Sequence, residues 1–405
     1  VLKKKFRKFI EKIIEGILLL SSSITSITVI LIIVFLFREG FGLFGQSPAE
    51  EGTILVVNQT NPVNTLSAEQ VKGVFDQEIT NWKEVGGNND SIILFRIDDI
   101  GNYFTEEQLG DTFQYVPACI NKLVDSLPGV VAFVLEKYAT QEVIGKRLVL
   151  DKISGSDFFL GEEWFPTAHP AAVFGTLPII LGTILVSLFA IIFALPLGLA
   201  AAIYMAEIAS ERMRNILKPM IELLAGIPSV VYGFFGLIII VPQVQHLFNL
   251  AVGETALAGS IVLGIMALPT IITVSEDAIR TTPRSMKEAS LALGATKWQT
   301  ILKVTVPYSI SGITTGTILG IGRAIGETMA VLMVTGNAAV MPHSLLEPVR
   351  TIPATIAAEL GEAPQGGLHY QSLFMLGGVL FFITLIINLA VEYISAKRKF
   401  AKATK

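Results

Sequence analysis

Six stretches of the chain are apolar for long enough to cross a bilayer, and polar segments of very unequal length separate them. They cover residues 16–37, 176–204, 220–245, 257–275, 312–335 and 371–394. A helix needs about 20 mostly apolar residues to span the hydrocarbon layer, so each stretch predicts one transmembrane helix. The long polar interval between the first two has a different pattern. "TILVVNQ" reads as a short buried strand, "SAEQVKGVF" as a helix with Ser67 at its N-cap, and "GGNND" as a turn. "SIILFRI" reads as a second strand, and "LPGVVAFVLEKYA" as a turn leading into an apolar segment. The predicted fold class is an all-α polytopic membrane protein with six transmembrane helices and a small inserted α/β domain.

Only 16% of the residues are charged and 52% are hydrophobic, with a mean hydropathy of +0.62. A soluble domain carries roughly 25% charged residues. The net charge of −4 hides a segregation. The N-terminal segment with "KKKFRK", the loops 207–219 and 276–308 and the tail "AKRKFAKATK" hold 19 of the 30 basic residues. Loop 336–370 holds only Arg350. Short cytoplasmic loops are enriched in Lys and Arg, so both termini and the two basic loops are expected in the cytoplasm and the insert outside it. The first span lacks a small-residue cleavage site and is expected to be a retained anchor. Pro196, Pro228, Pro242 and Pro269 lie in or beside spans, which membrane helices tolerate where neighbours satisfy the freed carbonyls. Cys119 has no second cysteine to pair with and is expected to be a buried thiol. The four histidines lack metal-ligand spacing, and no nucleophile–base pair points to an enzyme.

Two ions interrupt the fifth stretch, "LGIGRAIGETMAVLMV". On a continuous helix Gly312, Gly316, Gly320, Arg323, Glu327, Ala330 and Val334 would share one face. Arg323 and Glu327 would then stand one turn apart and could pair, which lowers the cost of placing ions in a membrane. Two readings stay open on physical grounds. The pair locks this helix to a neighbour, or Arg323 offers its planar two-donor fork to an anion in transit while Glu327 orients it. In the second reading Gly316 and Gly320 leave room beside the pathway.

The loop after the fourth stretch, "EASLALGATKWQTILKVTVP", reads as an amphipathic helix, a turn at Gly294 and a second helix ending at Pro307. Met286, Ala289, Leu291 and Leu293 are its apolar residues around Lys287 and Glu288. Periodicity leaves it either an anchor lying in the interface or a helix that transmits force from a soluble partner. The spacing resembles the EAA loop of ABC importer permeases, which is Glu-Ala-Ala, three residues, Gly, nine residues, Ile-x-Leu-Pro. Ser290, Val304 and Val306 are the departures. The resemblance implies the ABC importer permease fold and a coupling element, loop 287–307, in which Glu288, Ala289, Gly294 and Pro307 dock on a separate ATPase. The chain carries no G-x-x-x-x-G-K-[ST] loop. ATP and magnesium would accordingly sit on a partner ATPase dimer, this chain would bind no cofactor, and it would not itself be an enzyme.

"GRAIGETMAVLMVTGN", "ELLAGIPSVVYGFFGL", "LPLGLAAAIYMAE" and "FLFREG" resemble the phosphate-specific ABC permeases, the PstC type more than the PstA type. That resemblance implies phosphate transport in the bacterial inner membrane, with pathway roles for Arg323 and Glu327. It implies as partners a second homologous permease subunit, an extracytoplasmic phosphate-binding protein and the lipid bilayer, and no nucleic acid. Importers of molybdate, sulfate or phosphonate, and a membrane sensor or scaffold, are the alternatives. The insert resembles one lobe of the phosphate-binding protein, through "VVNQTNPVNTLSAEQVKGVFDQEITNWKEVGG" and "LPGVVAFVLEKYA". Where that lobe has a Gly-Ser-Gly-Thr turn donating to phosphate, the insert reads "FRIDDIGN", and Asp98 and Asp99 would repel an anion. Docking of the binding protein is therefore the expected role of the insert, with a cap over the outer mouth or a spacer as alternatives. The expected division is residues 1–45 (tail and first helix), 50–160 (insert), 170–395 (permease core) and 396–405 (basic tail).

Overall fold

The computed structural model describes residues 2–50, 52–110, 114–138 and 145–403. They form two compact units, residues 1–43 with 355–405, and residues 44–354. The chain opens with α1 (Leu2–Phe41), one 40-residue helix.

The insert follows as β1 (Thr53–Val57), β2 (Thr65–Leu66), α2 (Ala68–Phe75), β3 (Ile93–Arg96), α3 (Glu106–Leu109), α4 (Val116–Ser126), β4 (Val130–Leu135) and β5 (Lys146–Leu150). Its strands lie in the order β2-β5-β1-β4-β3. β1 is antiparallel to both β4 and β5, whereas β2 with β5 and β3 with β4 are parallel. Side chains alternate across a strand, so Leu55 and Val57 meet Val71, Val74, Phe75 and Trp82 on one face. Val56, Phe95 and Ala132 meet Leu109, Val116, Ile120 and Leu123 on the other. A sheet covered on both faces needs nearly continuous apolar strands, which is why "TILVV" and "VVAFVL" lack a polar face. Ser67 caps α2 as expected, in a capping box with Gln70. Cys119 is buried, and burial pushes its thiol pKa up. Asp98 and Asp99 lie exposed on a short 3₁₀ turn.

Next come α5 (Gly155–Leu160), the antiparallel pair β6 (Trp164–Phe165) and β7 (Val173–Phe174), and α6 (Leu177–Ile203). The segments entering and leaving the insert meet. Ala49 and Ala171 form an antiparallel bridge, and Ala172 N–H donates to Pro48 O at 3.0 Å. The Phe158 carbonyl accepts from both Thr176 N, at 2.8 Å, and Thr176 Oγ1, at 2.7 Å, which ties α5 to the first turn of α6.

The remaining elements are α7 (Glu211–Ala225), α8 (Ser229–Phe235), α9 (Val241–Phe248), α10 (Ala256–Arg280), α11 (Arg284–Ala292), α12 (Lys297–Thr300), α13 (Val306–Tyr308), α14 (Ile310–Ile325), α15 (Met329–Val334), α16 (Ile352–Glu359) and α17 (Leu368–Ala403). Among the described residues, five helices are long and apolar enough to cross a membrane: Lys12–Phe41, Leu177–Ile208, Ser229–Phe248, Ala256–Arg280 and Leu368–Tyr393. A sixth candidate is a pair, Lys297–Tyr308 with Ile310–Ile325, bent by 69°. Two of the expected spans need correction. Residues 220–225 belong to α7, because Pro228 lacks an N–H and disfavours helix at Ile227. The stretch 312–335 is not one helix, since α14 stops at Ile325 and α15 starts at Met329.

α10 is the centre of the 44–354 unit. It runs parallel to α6, with Gly259 near Val186, Gly264 near Ala190 and Gly198 near Ile271. It runs antiparallel to α14, with Gly312 against Ala278, Gly316 against Ser275 and Gly320 against Ile271. In the other unit α1 packs on α17, where Phe35 and Phe374 meet edge to face at 5.4 Å between ring centroids. A Cβ on Gly312 would collide with the Cβ of Ala278, which has no rotamer to yield. Gly312→Leu should therefore cost about 1–3 kcal/mol through overpacking, seen as a lower unfolding temperature of the detergent-solubilised protein. An unchanged temperature would show that this contact is not tight.

Candidate functional site

The three glycines of α14 do not line open space. A Cβ on Gly316 would lie 3.2 Å from Ser275 Oγ, and one on Gly320 would lie 2.8 Å from Ile271 Cγ1. Gly316 and Gly320 therefore pack against α10. Their register also sets the depth of the site. Gly320 meets Ile271, so Arg323, one turn further along an antiparallel helix, is level with the middle of α10. Ala324 beside it is buried among Val186, Ala190 and Leu263, side chains of the middle of the bundle.

The shared helical face expected for Arg323 and Glu327 is broken between them. α14 ends in Gly326, and Glu327 and Thr328 are non-helical. Among the described residues, no carboxylate lies within ion-pair distance of Arg323. Each ion is supported by a helix end instead. Arg323 occupies the last turn of α14, where free carbonyls give a partial negative charge. Glu327 Oε1 accepts from Ala330 N–H at 3.4 Å in the first turn of α15, where free N–H groups need acceptors. Both side chains are half-buried. α8 packs on this break, since a Cβ on Gly233 would lie 3.0 Å from Ala330 Cα. The buried phenol of Tyr232 is in electrostatic reach of Arg323, and its hydroxyl donates to Leu224 O at 2.8 Å. The result is a cation with no carboxylate counter-ion among the described residues, at a mid-bundle helix break.

The second constellation is the loop after α10. Gly294 takes a φ of +85°, a left-handed conformation that a side chain would strain, and it ends α11. Thr296 and Gln299 form a capping box that starts α12. A five-residue π turn (Ile301–Thr305) leads into α13, where Pro307 lies in the first turn. The expected helix therefore runs one residue past Pro307 before the chain bends at Ser309. Ser290 Oγ and Thr300 Oγ1 lie 3.0 Å apart and hold α11 to α12. Glu288 and Ala289 are exposed, as are Met286, Leu291 and Trp298, and Leu293 is 90% exposed.

A third cluster was not anticipated from sequence. Glu276, with 0% exposure, accepts from Arg214 Nε at 2.8 Å and Lys218 Nζ at 3.0 Å, and Arg280 is 3.5 Å away. Lys218 also reaches Asp277 at 2.9 Å. These contacts clamp α7 to the end of α10. The signal was the pair of charge-rich ends, "ERMRNILK" and "SEDAIR", in a chain otherwise poor in charge.

Comparison with known proteins places this architecture. Residues 194–400 match the family described as binding-protein-dependent transport system inner membrane component, and residues 37–143 match the PBP superfamily domain. The chain is 41% identical over 254 residues to the probable ABC transporter permease protein YqgH of Bacillus subtilis (strain 168), covering 63% of this chain and 82% of that protein. It is 36% identical over 283 residues to the phosphate transport system permease protein PstC of Xylella fastidiosa (strain Temecula1), covering 64% and 86%. Against the phosphate transport system permease protein PstC of Mesorhizobium japonicum the identity is 37% over 258 residues, covering 59% and 78%. The chain belongs to the family of binding-protein-dependent transport system inner membrane components. It is a permease subunit of the ABC importer type, with an additional domain of the PBP superfamily.

The clamp has a pH signature. Burial disfavours the charged form of Lys218, but hydrogen bonds and charge from Asp277 and Glu276 outweigh it and raise its pKa. Stability from Lys218 is then fully present below its unfolded pKa of about 10.4 and is lost as pH rises through the higher folded value. Glu276→Ala, which removes the buried acceptor of these partly exposed cations, should cost about 1.5–3 kcal/mol, read as a fall in unfolding temperature. Lys218→Met should lower that temperature at pH 8, and the gap to the unaltered protein should close above the folded pKa. A gap independent of pH would contradict this assignment.

Proposed function

We propose that this chain is one of two homologous permease subunits of an ATP-driven phosphate importer in the bacterial inner membrane. The observation that carries the reading is Arg323, a half-buried arginine with no carboxylate partner among the described residues, at a mid-bundle helix break. The relatives named for phosphate transport indicate the anion. Discontinuous helices meeting near the midplane are a recurrent way to build a transport site. The guanidinium fork suits two oxygens of phosphate. Glu327, held by the N–H of Ala330, tunes the arginine without neutralising it. Gly316 and Gly320 hold α14 against α10.

The charge bias supports a cytoplasmic position for the termini, α7 and the α11–α12 loop and an outer position for the insert. Glu288, Ala289 and Gly294, with the exposed Leu293 and Trp298, then dock an ATPase dimer that binds the ATP and magnesium. Pro307 sets the way back into the membrane. An extracytoplasmic binding protein delivers phosphate, and the insert, which has a core of its own on both faces of its sheet, is a docking surface for it. The cycle is alternating access.

Arg323→Ala should lower phosphate uptake by about 100-fold in proteoliposomes, the scale expected for losing charge-assisted hydrogen bonds. The permease should still co-purify with its ATPase. Retained uptake would sink the reading, and loss of assembly would make Arg323 a structural residue. Competition by molybdate or sulfate against labelled phosphate separates the oxyanions. Deleting residues 52–151 should raise the half-saturating concentration of binding protein about tenfold, equivalent to about 1.4 kcal/mol, while uptake persists at saturation. An unchanged concentration would leave the insert a spacer.

A further inference from the structure

The α11–α12 hairpin is continuous in sequence with α10 and α14 but not with α6, and an ion pair joins it to α6. Lys287 Nζ of α11 lies 2.5 Å from Glu207 Oε1, and both side chains are mostly buried. Glu207 sits on a five-residue π turn, Tyr204–Ile208, that closes the far end of α6. Such turns interrupt an α-helix locally and are frequent at functional sites. The hairpin is braced at two points, since Ser290 is tied to Thr300, and Thr282 Oγ1 lies 3.1 Å from Ser309 Oγ across its base. α6 has 27 residues, so it carries a displacement over about 40 Å. At its other end Phe158 O holds Thr176, and with it α5 and the insert.

The two ionic clusters on this side differ in kind. Glu276 is saturated by three cations and clamps α7 to α10. Lys287 and Glu207 form a one-to-one pair between a hairpin that presents an open apolar face and the end of a helix. We propose that Lys287 and Glu207 are positioning residues for transport, the strut that carries movement of α11 into α6 and so to the insert. The proposal rests on the reading of α11 as the ATPase-docking helix. Coupling free energies between sites are commonly worth 5–150-fold. A strut whose loss mattered less than that would not be the link.

The test uses the whole complex of this chain, its partner permease and the ATPase in proteoliposomes, with the binding protein added. Three quantities are read: ATPase co-purified per permease, the ratio of stimulated to basal ATP hydrolysis on adding phosphate-loaded binding protein, and uptake. Glu207→Gln and Lys287→Met should each keep the ATPase bound and lower both the stimulation ratio and uptake by about tenfold. The exchanged pair, Glu207→Lys with Lys287→Glu, should bring both to within about twofold of the unaltered complex. Unchanged ratios in the single variants, or no recovery in the exchange, would overturn the proposal. Loss of ATPase in Lys287→Met alone would also overturn it, by making the lysine a docking contact. If a single variant does not assemble, Glu207→Asp is read instead, and an undiminished ratio there overturns the strut. Glu288→Ala keeps the two questions apart: if it leaves ATPase binding and uptake intact, the docking reading of α11 fails, whatever the ion pair does.

Discussion

Close backbone approach against α10 is the constraint on which the 44–354 unit depends. Helices in lipid gain little from hiding apolar groups, so packing and small residues set how near they come. α10 uses this on two flanks. Gly198 and Gly264 bring α6 alongside it, and Gly312, Gly316 and Gly320 bring α14. With both neighbours fixed at short range, the chain can interrupt a helix between Ile325 and Met329 and still leave the ends among protein groups. An interruption facing lipid would expose unpaired N–H and C=O groups at several kcal/mol each.

That interruption explains how two ions are tolerated in an apolar run. A continuous helix would have asked Arg323 and Glu327 to neutralise each other. The break gives each a helix end of opposite sign, so the carboxylate is occupied by a backbone N–H and the guanidinium keeps its charge. Glu276 shows the opposite arrangement, a carboxylate surrounded by cations and shut off from solvent. One chain thus uses ionic groups in two ways. A saturated cluster holds elements still, and an unsaturated cation suits the proposed passage of an anion.

Much of the architecture was legible because it is written in periodicity. The long apolar runs, the two-sided apolar strands of the insert, the Ser67 cap and the turn at Gly294 each follow from a local rule. The misses share another cause. Nothing in "GRAIGETMAVLMV" interrupts a helical pattern strongly enough to stop it, and Gly326 is one glycine among many. The apolar end of α7 runs into the next span, so hydropathy merged what Pro228 separates. The stripe of Gly312, Gly316 and Gly320 was visible as a stripe, but a glycine face looks the same whether it meets a solute or a helix. The partners of Glu276 on α7 lie 62 and 58 residues away, beyond any local rule.

The junction of the insert has a consequence for how such a chain can be assembled. Ala49 and Ala171 are bridged, and Pro48 and Ala172 are hydrogen-bonded, so the strands that enter and leave the α/β domain already touch. To the helices on either side, the whole domain amounts to a loop whose ends are a strand spacing apart. Closing a longer loop between fixed ends costs only about 0.6 kcal/mol per doubling of its length. The membrane part can therefore acquire, exchange or shed this module as a cassette, without α6 or α10 shifting to accommodate it.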